Sequence, residues 1–202
     1  LIMLESNKAL LRLKEGNKEF LANNPKKYAT HPVAQKGLVT EQEPFAIILG
    51  CSDSRVPVEI VFSQGLGDLF TIRVAGNIVT SSQLGSIELA AEKFGTRLIV
   101  VLGHSQCGAI KETIESISGR HNNHSPNFQK IINVIKPGIS EFVSKGDSIE
   151  EIVEKSVKAN IQVSVDKLSK NSEILSRLIK RDYLKIIGAE YCLYSGKVNF
   201  LD

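Results

Sequence analysis

Phe45-Ala46-Ile47-Ile48-Leu49-Gly50-Cys51-Ser52-Asp53-Ser54-Arg55 changes character abruptly at Gly50, from an apolar run to a polar, Ser-rich turn. The apolar part is too short for a helix and shows no polar alternation, so it reads as a strand buried on both faces, the kind found in parallel sheets. Two further runs have the same character, Leu69-Phe70-Thr71-Ile72-Arg73-Val74 and Arg97-Leu98-Ile99-Val100-Val101-Leu102-Gly103. Helical spacing lies between them, near 56–63 and clearly at 84–94, where Leu84, Ile87, Ala91 and Phe94 recur on one face. Strand alternating with helix at this interval predicts an α/β fold around a central, mainly parallel sheet.

Outward from that core, a long helical region at about 149–180 precedes an apolar strand at 184–187 and a short partner strand at 198–201. The expected sheet therefore has four strands plus a short edge strand, flanked by helices. Residues 4–23 read as an amphipathic helix, with Leu10, Leu13, Phe20 and Leu21 at helical spacing, stopped by Asn23-Asn24-Pro25. A polar connection punctuated by Pro and Gly runs on to Pro44, so this helix forms an N-terminal arm of the kind that often packs on a partner subunit. One domain is expected over 1–202, with arm and linker at 1–44 and the α/β core at 45–202. There is no internal repeat and no low-complexity segment.

The bulk composition excludes several function classes. At 202 residues the chain suffices for one substantial core, and 42% hydrophobic with 23% charged residues is ordinary for a globular protein. The net charge of +3 is modest and its cations are scattered among acids, without the basic, aromatic-laced stripe of a nucleic-acid binder. No apolar run approaches the roughly 20 residues of a membrane span. Three cysteines do not make a disulfide scaffold, and an odd count fits a reducing compartment. The cytoplasm is the expectation, with the periplasm after removal of a signal peptide as the alternative.

Two cysteines occupy equivalent places. Cys51 directly follows the first strand, and His104-Ser105-Gln106-Cys107 directly follows the third. In open α/β sheets functional groups gather at the carboxyl ends of strands. If those strands are neighbours, Cys51, His104 and Cys107 converge, and two thiolates with an imidazole suit one tetrahedral zinc ion. Three protein ligands leave a fourth corner for water, as in catalytic rather than structural zinc sites. The bland readings are a buried thiol for Cys51, a helix cap for Asp53 before Val56-Pro57, and a surface ion pair for Arg55. A thiol redox protein using Cys51 and Cys107 is a further alternative, which leaves His104, Asp53 and Arg55 unexplained.

Together, Cys51-Ser52-Asp53-Ser54-Arg55 and His104-Ser105-Gln106-Cys107-Gly108 closely resemble the paired signature of the β-class carbonic anhydrases. The resemblance implies zinc on Cys51, His104 and Cys107, and a gating dyad of Asp53 and Arg55. It implies reversible hydration of carbon dioxide to bicarbonate, in a homodimer or tetramer. Gln42 falls where plant-like members place a glutamine that reaches substrate across the dimer interface, and Gly108, Phe70 and Ala75 are the expected pocket residues. Members with an inhibitory bicarbonate site carry Trp where this chain has Ile48, so the plant-like subtype without that site is expected. Plant members also carry a Tyr, proposed to help proton transfer, where this chain has Leu89.

Two thiolates neutralise the formal charge of the ion, so a bound-water pKa above the roughly 7 of three-His sites is expected, with activity rising on the alkaline side. Relatives that hydrolyse carbon disulfide or carbonyl sulfide use the same residues, and a zinc-binding sensor without turnover is the alternative from another class. Gly103 and Gly108 are expected to allow close backbone approach at the metal turn. Cys192 reads as an idle or buried thiol, His31, His121 and His124 as surface residues, and the Lys–Glu alternation over 141–158 as a solvated helix face.

Overall fold

The structure, a computed structural model, describes residues 4–23, 42–120, 123–143 and 147–201. Among these, five strands form one sheet in the order β2-β1-β3-β4-β5. They are β1 (Ala46–Gly50), β2 (Leu69–Arg73), β3 (Leu98–His104), β4 (Lys185–Tyr191) and β5 (Val198–Leu201). β1, β2, β3 and β4 are parallel, and β5 closes the edge antiparallel to β4. The expected α/β class and strand count are met.

The unbroken apolar runs follow from burial on both faces. Along β1 and β3, Ile47, Leu49, Ile99 and Val101 enter one apolar core, while Ala46, Ile48, Leu98, Val100 and Leu102 enter another. The first core is covered by α3 (Ser81–Lys93), α4 (Gly108–Ile117), α5 (Pro126–Val143), α6 (Ile149–Lys170) and α7 (Glu173–Lys180). The second is covered by α1 (Ser6–Leu21) and the single turn of α2 (Val58–Val61).

The helices differ from the periodicity reading in detail. The region at 149–180 is two helices, because Ser172 caps a new start by accepting the Leu175 N–H at 3.1 Å. Helices α4 and α5 have no counterpart in the periodicity reading, and α5 runs on through Pro137 and Gly138. Gly138 lets α6 approach, because a Cβ there would lie 2.7 Å from Val163 Cγ2. The N-terminal helix packs on its own chain. Gly16 sits against the Phe62 carbonyl, and Asn17 is buried while donating to the Val61 and Gly196 carbonyls at 3.1 and 3.0 Å.

The chain order reverses between β1 and β3, since β2 lies on one side of β1 and β3 on the other. A crevice opens at the carboxyl ends of that pair, the ligand-binding place of open α/β sheets.

Candidate metal centre

Each candidate ligand is carried to this crevice by a rigid element. Cys51 is the residue after β1, His104 is the last of β3, and Cys107 is the N-cap of α4. Between His104 and Cys107 the chain turns sharply, with Gln106 in the left-handed region at φ 59°. The donor atoms of Cys51, His104 and Cys107 all lie within 4.8 Å of one another, and all three residues are buried. The two sulfurs are 4.0 Å apart. Sulfurs on one tetrahedral zinc ion would be about 3.8 Å apart.

The imidazole is held in the tautomer that ligation needs. His104 Nδ1 lies 3.0 Å from the Ser105 carbonyl, which can only accept, so Nδ1 carries the proton and Nε2 keeps its lone pair. Nε2 is fully buried and has no hydrogen-bond partner among the described residues. A buried acceptor left alone beside two sulfurs fits a cation. Cys51, His104 and Cys107 could therefore hold a metal, and the S₂N donor set suits zinc.

The thiols carry the same message. Hydrogen bonding from Cys107, helped by the Gly76 N–H at 3.4 Å, lowers Cys51 to about 4 against the opposing effect of burial. Cys107 moves the other way, raised by its bond to Cys51 and by burial. Two buried thiolates this close repel each other, so without a cation the pair keeps one proton.

Beside the ligands, Asp53 and Arg55 form a two-point pair. Arg55 Nε donates to Asp53 Oδ1 at 2.9 Å and Arg55 Nη2 to Oδ2 at 2.7 Å, while the Arg55 backbone N–H also donates to Oδ1 at 2.9 Å. These bonds hold the Asp53 carboxyl well below the usual carboxylate range. Asp53 Oδ2 lies 3.9 Å from His104 Nε2, so the carboxylate faces the metal corner. The helix-cap reading fails, because the cap position of α2 is Pro57.

Ala75 and Gly108 also reach the carboxyl end of the sheet, Ala75 in the 3₁₀ turn after β2 and Gly108 as the first residue of α4. A Cβ on Gly108 would meet nothing within 4 Å, whereas one on Gly103 would collide with Ile161 at 2.6 Å. Gly103 thus makes room for α6, not for the metal turn. Phe70 lies near the start of β2, paired in register with Ile47, and its ring packs 5.9 Å from Phe94. Gln42 is exposed and precedes β1, at the end of the strand opposite Cys51.

Arg73 was not singled out by the sequence. It ends β2 beside Gly50, where Nε donates to the Cys51 carbonyl at 2.9 Å and Nη2 to the Asp53 carbonyl at 2.5 Å. A cation at the end of a strand neighbouring the ligand strand was the available signal. Of the remaining residues, Cys192 is half-buried beyond β4 and His124 stacks edge-on against Phe128 at 5.2 Å. Leu89 is exposed on α3, and Ile48 is buried in the core. His31 and His121 lie outside the described residues.

The family model described as carbonic anhydrase matches residues 46–198. Carbonic anhydrase 2 of Mycobacterium tuberculosis is 34% identical over 192 residues, covering 94% of this chain and 90% of its own. The carbonic anhydrase of Mycolicibacterium smegmatis is 33% identical over 186 residues, covering 92% and 88%. Among solved structures, the β-carbonic anhydrase CcaA superposes with a TM-score of 0.76 at 25% identity, covering 96% of this chain and 95% of that one. Sequence and fold agree over nearly the full length, and the chain belongs to the β-carbonic anhydrase family of enzymes.

Proposed function

We propose that this chain catalyses the reversible hydration of carbon dioxide to bicarbonate and a proton, with one zinc ion per chain on Cys51, His104 and Cys107. Carbon dioxide hydration is the general reaction of the family. One observation carries the assignment of residues. Three buried donors converge on one point, and a carboxylate held by an arginine faces it from 3.9 Å.

Zinc held there supplies Lewis acidity that lowers the pKa of water and so provides the nucleophile. The chain's own groups do the rest. Asp53 Oδ2, as a carboxylate, would accept a hydrogen bond from the attacking oxygen nucleophile, which aims its lone pair towards the carbon of the substrate. Arg55 keeps Asp53 ionised and turned away from the fourth ligand position. Freed of Arg55, the same carboxylate would become a competing ligand. Arg73 fixes the loop that carries both Cys51 and Asp53 through two backbone carbonyls. Ala75 and Gly108, both at the carboxyl end of the sheet, would line the place of the substrate.

Gln42 acts from a second copy of the chain. It precedes β1, and a five-residue strand separates it from Cys51, about 17 Å at 3.3–3.4 Å per residue. A homodimer, or a tetramer built from two such dimers, is therefore the working unit, and Leu11 and Leu66 are among the exposed apolar side chains available for assembly. Among the described residues no helix is long and apolar enough to cross a membrane. The cytoplasm, where ligand thiols stay reduced, is the proposed compartment.

The test measures zinc content and carbon dioxide hydration by stopped flow on one preparation. One zinc per chain with hydration that rises towards alkaline pH is expected. One zinc per chain without hydration would turn the reading towards carbonyl sulfide or carbon disulfide hydrolysis, or towards a sensor.

A further inference from the structure

Ser105 stands between the metal centre and the far edge of the sheet, and its three polar groups are all engaged. Its carbonyl accepts from His104 Nδ1 at 3.0 Å. Its backbone N–H donates to the Tyr191 carbonyl at 3.0 Å, which extends the β3–β4 ladder one residue beyond the ligand. Its Oγ accepts the Leu193 N–H at 2.9 Å. The turn that supplies Leu193 is itself fixed, with the Cys192 N–H donating to the Lys197 carbonyl at 2.9 Å and the Gly196 N–H to the Cys192 carbonyl at 2.8 Å.

Packing covers Ser105 only in part. A cavity of about 390 Å³ opens beside it, lined by Gln106, Val157, Lys158, Glu190 and Cys192 as well as Ser105 itself. The next residue, Gln106, has left-handed backbone geometry, which a non-glycine residue adopts only where neighbouring bonds enforce it. With a void on one side and a strained residue following, the bonds to Tyr191 and Leu193 fix the Ser105 carbonyl. That carbonyl in turn fixes the plane and tautomer of His104.

We propose that Ser105 is a positioning residue for the metal-ligand imidazole, with its Oγ pinned by the β4–β5 turn so that its carbonyl orients His104 Nε2 towards the ion. The proposal rests on the zinc reading above. It assigns the β4–β5 turn a part in metal affinity, although that turn supplies no ligand. Outer partners of this kind typically contribute 10- to 100-fold in affinity.

The experiment compares the full native chain with Ser105→Ala and Ser105→Thr. Zinc affinity is measured by competition with a chromophoric chelator, and the site geometry by the visible bands of the cobalt(II)-substituted protein. Melting temperatures of metal-free and zinc-loaded samples are recorded for each. Ser105→Ala is expected to bind zinc about 10-fold more weakly, with altered cobalt bands. Ser105→Thr keeps the acceptor and has the cavity to receive its methyl, so it should stay within about threefold of native.

A serine that served the fold alone would lower both melting temperatures equally and leave affinity and cobalt bands native, which overturns the proposal. Equal weakening in the two variants also overturns it, because volume and not the hydrogen bond would then be the cause. If Ser105→Ala does not fold, Ser105→Thr decides: native affinity and bands support the proposal, and loss of either overturns it. A native control that takes up no zinc would show that the metal reading itself has failed.

Discussion

At the scale of single residues, the centre is a problem of charge placed in a buried corner. Cys51 is lowered and Cys107 raised because two thiolates 4.0 Å apart in a buried corner repel each other, so the metal-free pair holds one proton between its sulfurs. Zinc requires both thiolates, and binding must expel that proton. Apparent zinc affinity is therefore expected to rise about tenfold per pH unit between pH 6 and 8, with about one proton released per ion. Calorimetry in buffers of different ionisation enthalpy counts the proton, and a pH-independent affinity would contradict the assignment. Arg55 supports a second expectation. Its bonds hold Asp53 well below the ordinary carboxylate range, so above pH 4 the dyad stays ionised, and protonation breaks it only as pH falls below that range. Arg55→Ala removes the hold. Hydration should fall at least about 100-fold, in line with the loss of one preorganised active-site group, while zinc stays near one per chain by atomic absorption. These residues were legible because Cys51, His104 and Cys107 follow strands and so had to share an edge. Ser105 and Arg73 were not, because a serine hydroxyl or an arginine at a strand end has no fixed partner until the topology supplies one.

At the scale of elements, the strands were readable because both faces of the sheet are covered, which leaves no reason for polar alternation. The helices were harder. Helix α5 contains Pro137 and Gly138, residues that weaken a helical pattern, and Val163 of α6 packs where a Cβ on Gly138 would stand. The buried face of α1 includes Gly16 and Asn17, residues that a count of apolar positions misses. Asn17 is satisfied there by two carbonyl acceptors and by the Val198 N–H, which it accepts at 2.9 Å. Close approach is testable at Ile161 of α6, which sits over Gly103 and Gly188, where an added Cβ would come within 2.6 Å of it in either case. Gly103→Ala is expected to destabilise the fold by about 1–3 kcal/mol through overpacking. The Tm should fall by several degrees and recover in part in the Gly103→Ala, Ile161→Val double variant. An unchanged Tm would show that α6 has slack in its seat.

At the scale of the whole molecule, the position of Gln42 makes a dimeric prediction. An isologous pair exchanges the same residue in both directions. Gln42→Ala should lower turnover by about 100- to 1,000-fold, the cost of losing one substrate-oxygen donor. Cys107→Ser should be inactive for lack of a ligand. If Gln42 serves the other chain's site, unfolding and refolding an equal mixture of the two variants forms hybrids with one complete site, and about a quarter of native activity returns. If Gln42 serves its own chain, mixing restores nothing. The sequence already places Gln42 before the first strand and Cys51 after it, and so at opposite ends of β1.

The two ligand-bearing loops leave strands that are hydrogen-bonded neighbours, so the spacing of the sheet sets their separation before any ion arrives. Folding and loading are thus separable events, unlike in small zinc fingers, where the ion builds the domain. A chelator should strip the protein to an inactive but still folded blank, with far-UV dichroism retained and a lower Tm, the gap set by ligand linkage. Returning zinc should restore activity within the mixing and binding time, with no refolding phase. Such a catalyst can be idled and restarted by metal supply alone, without being rebuilt.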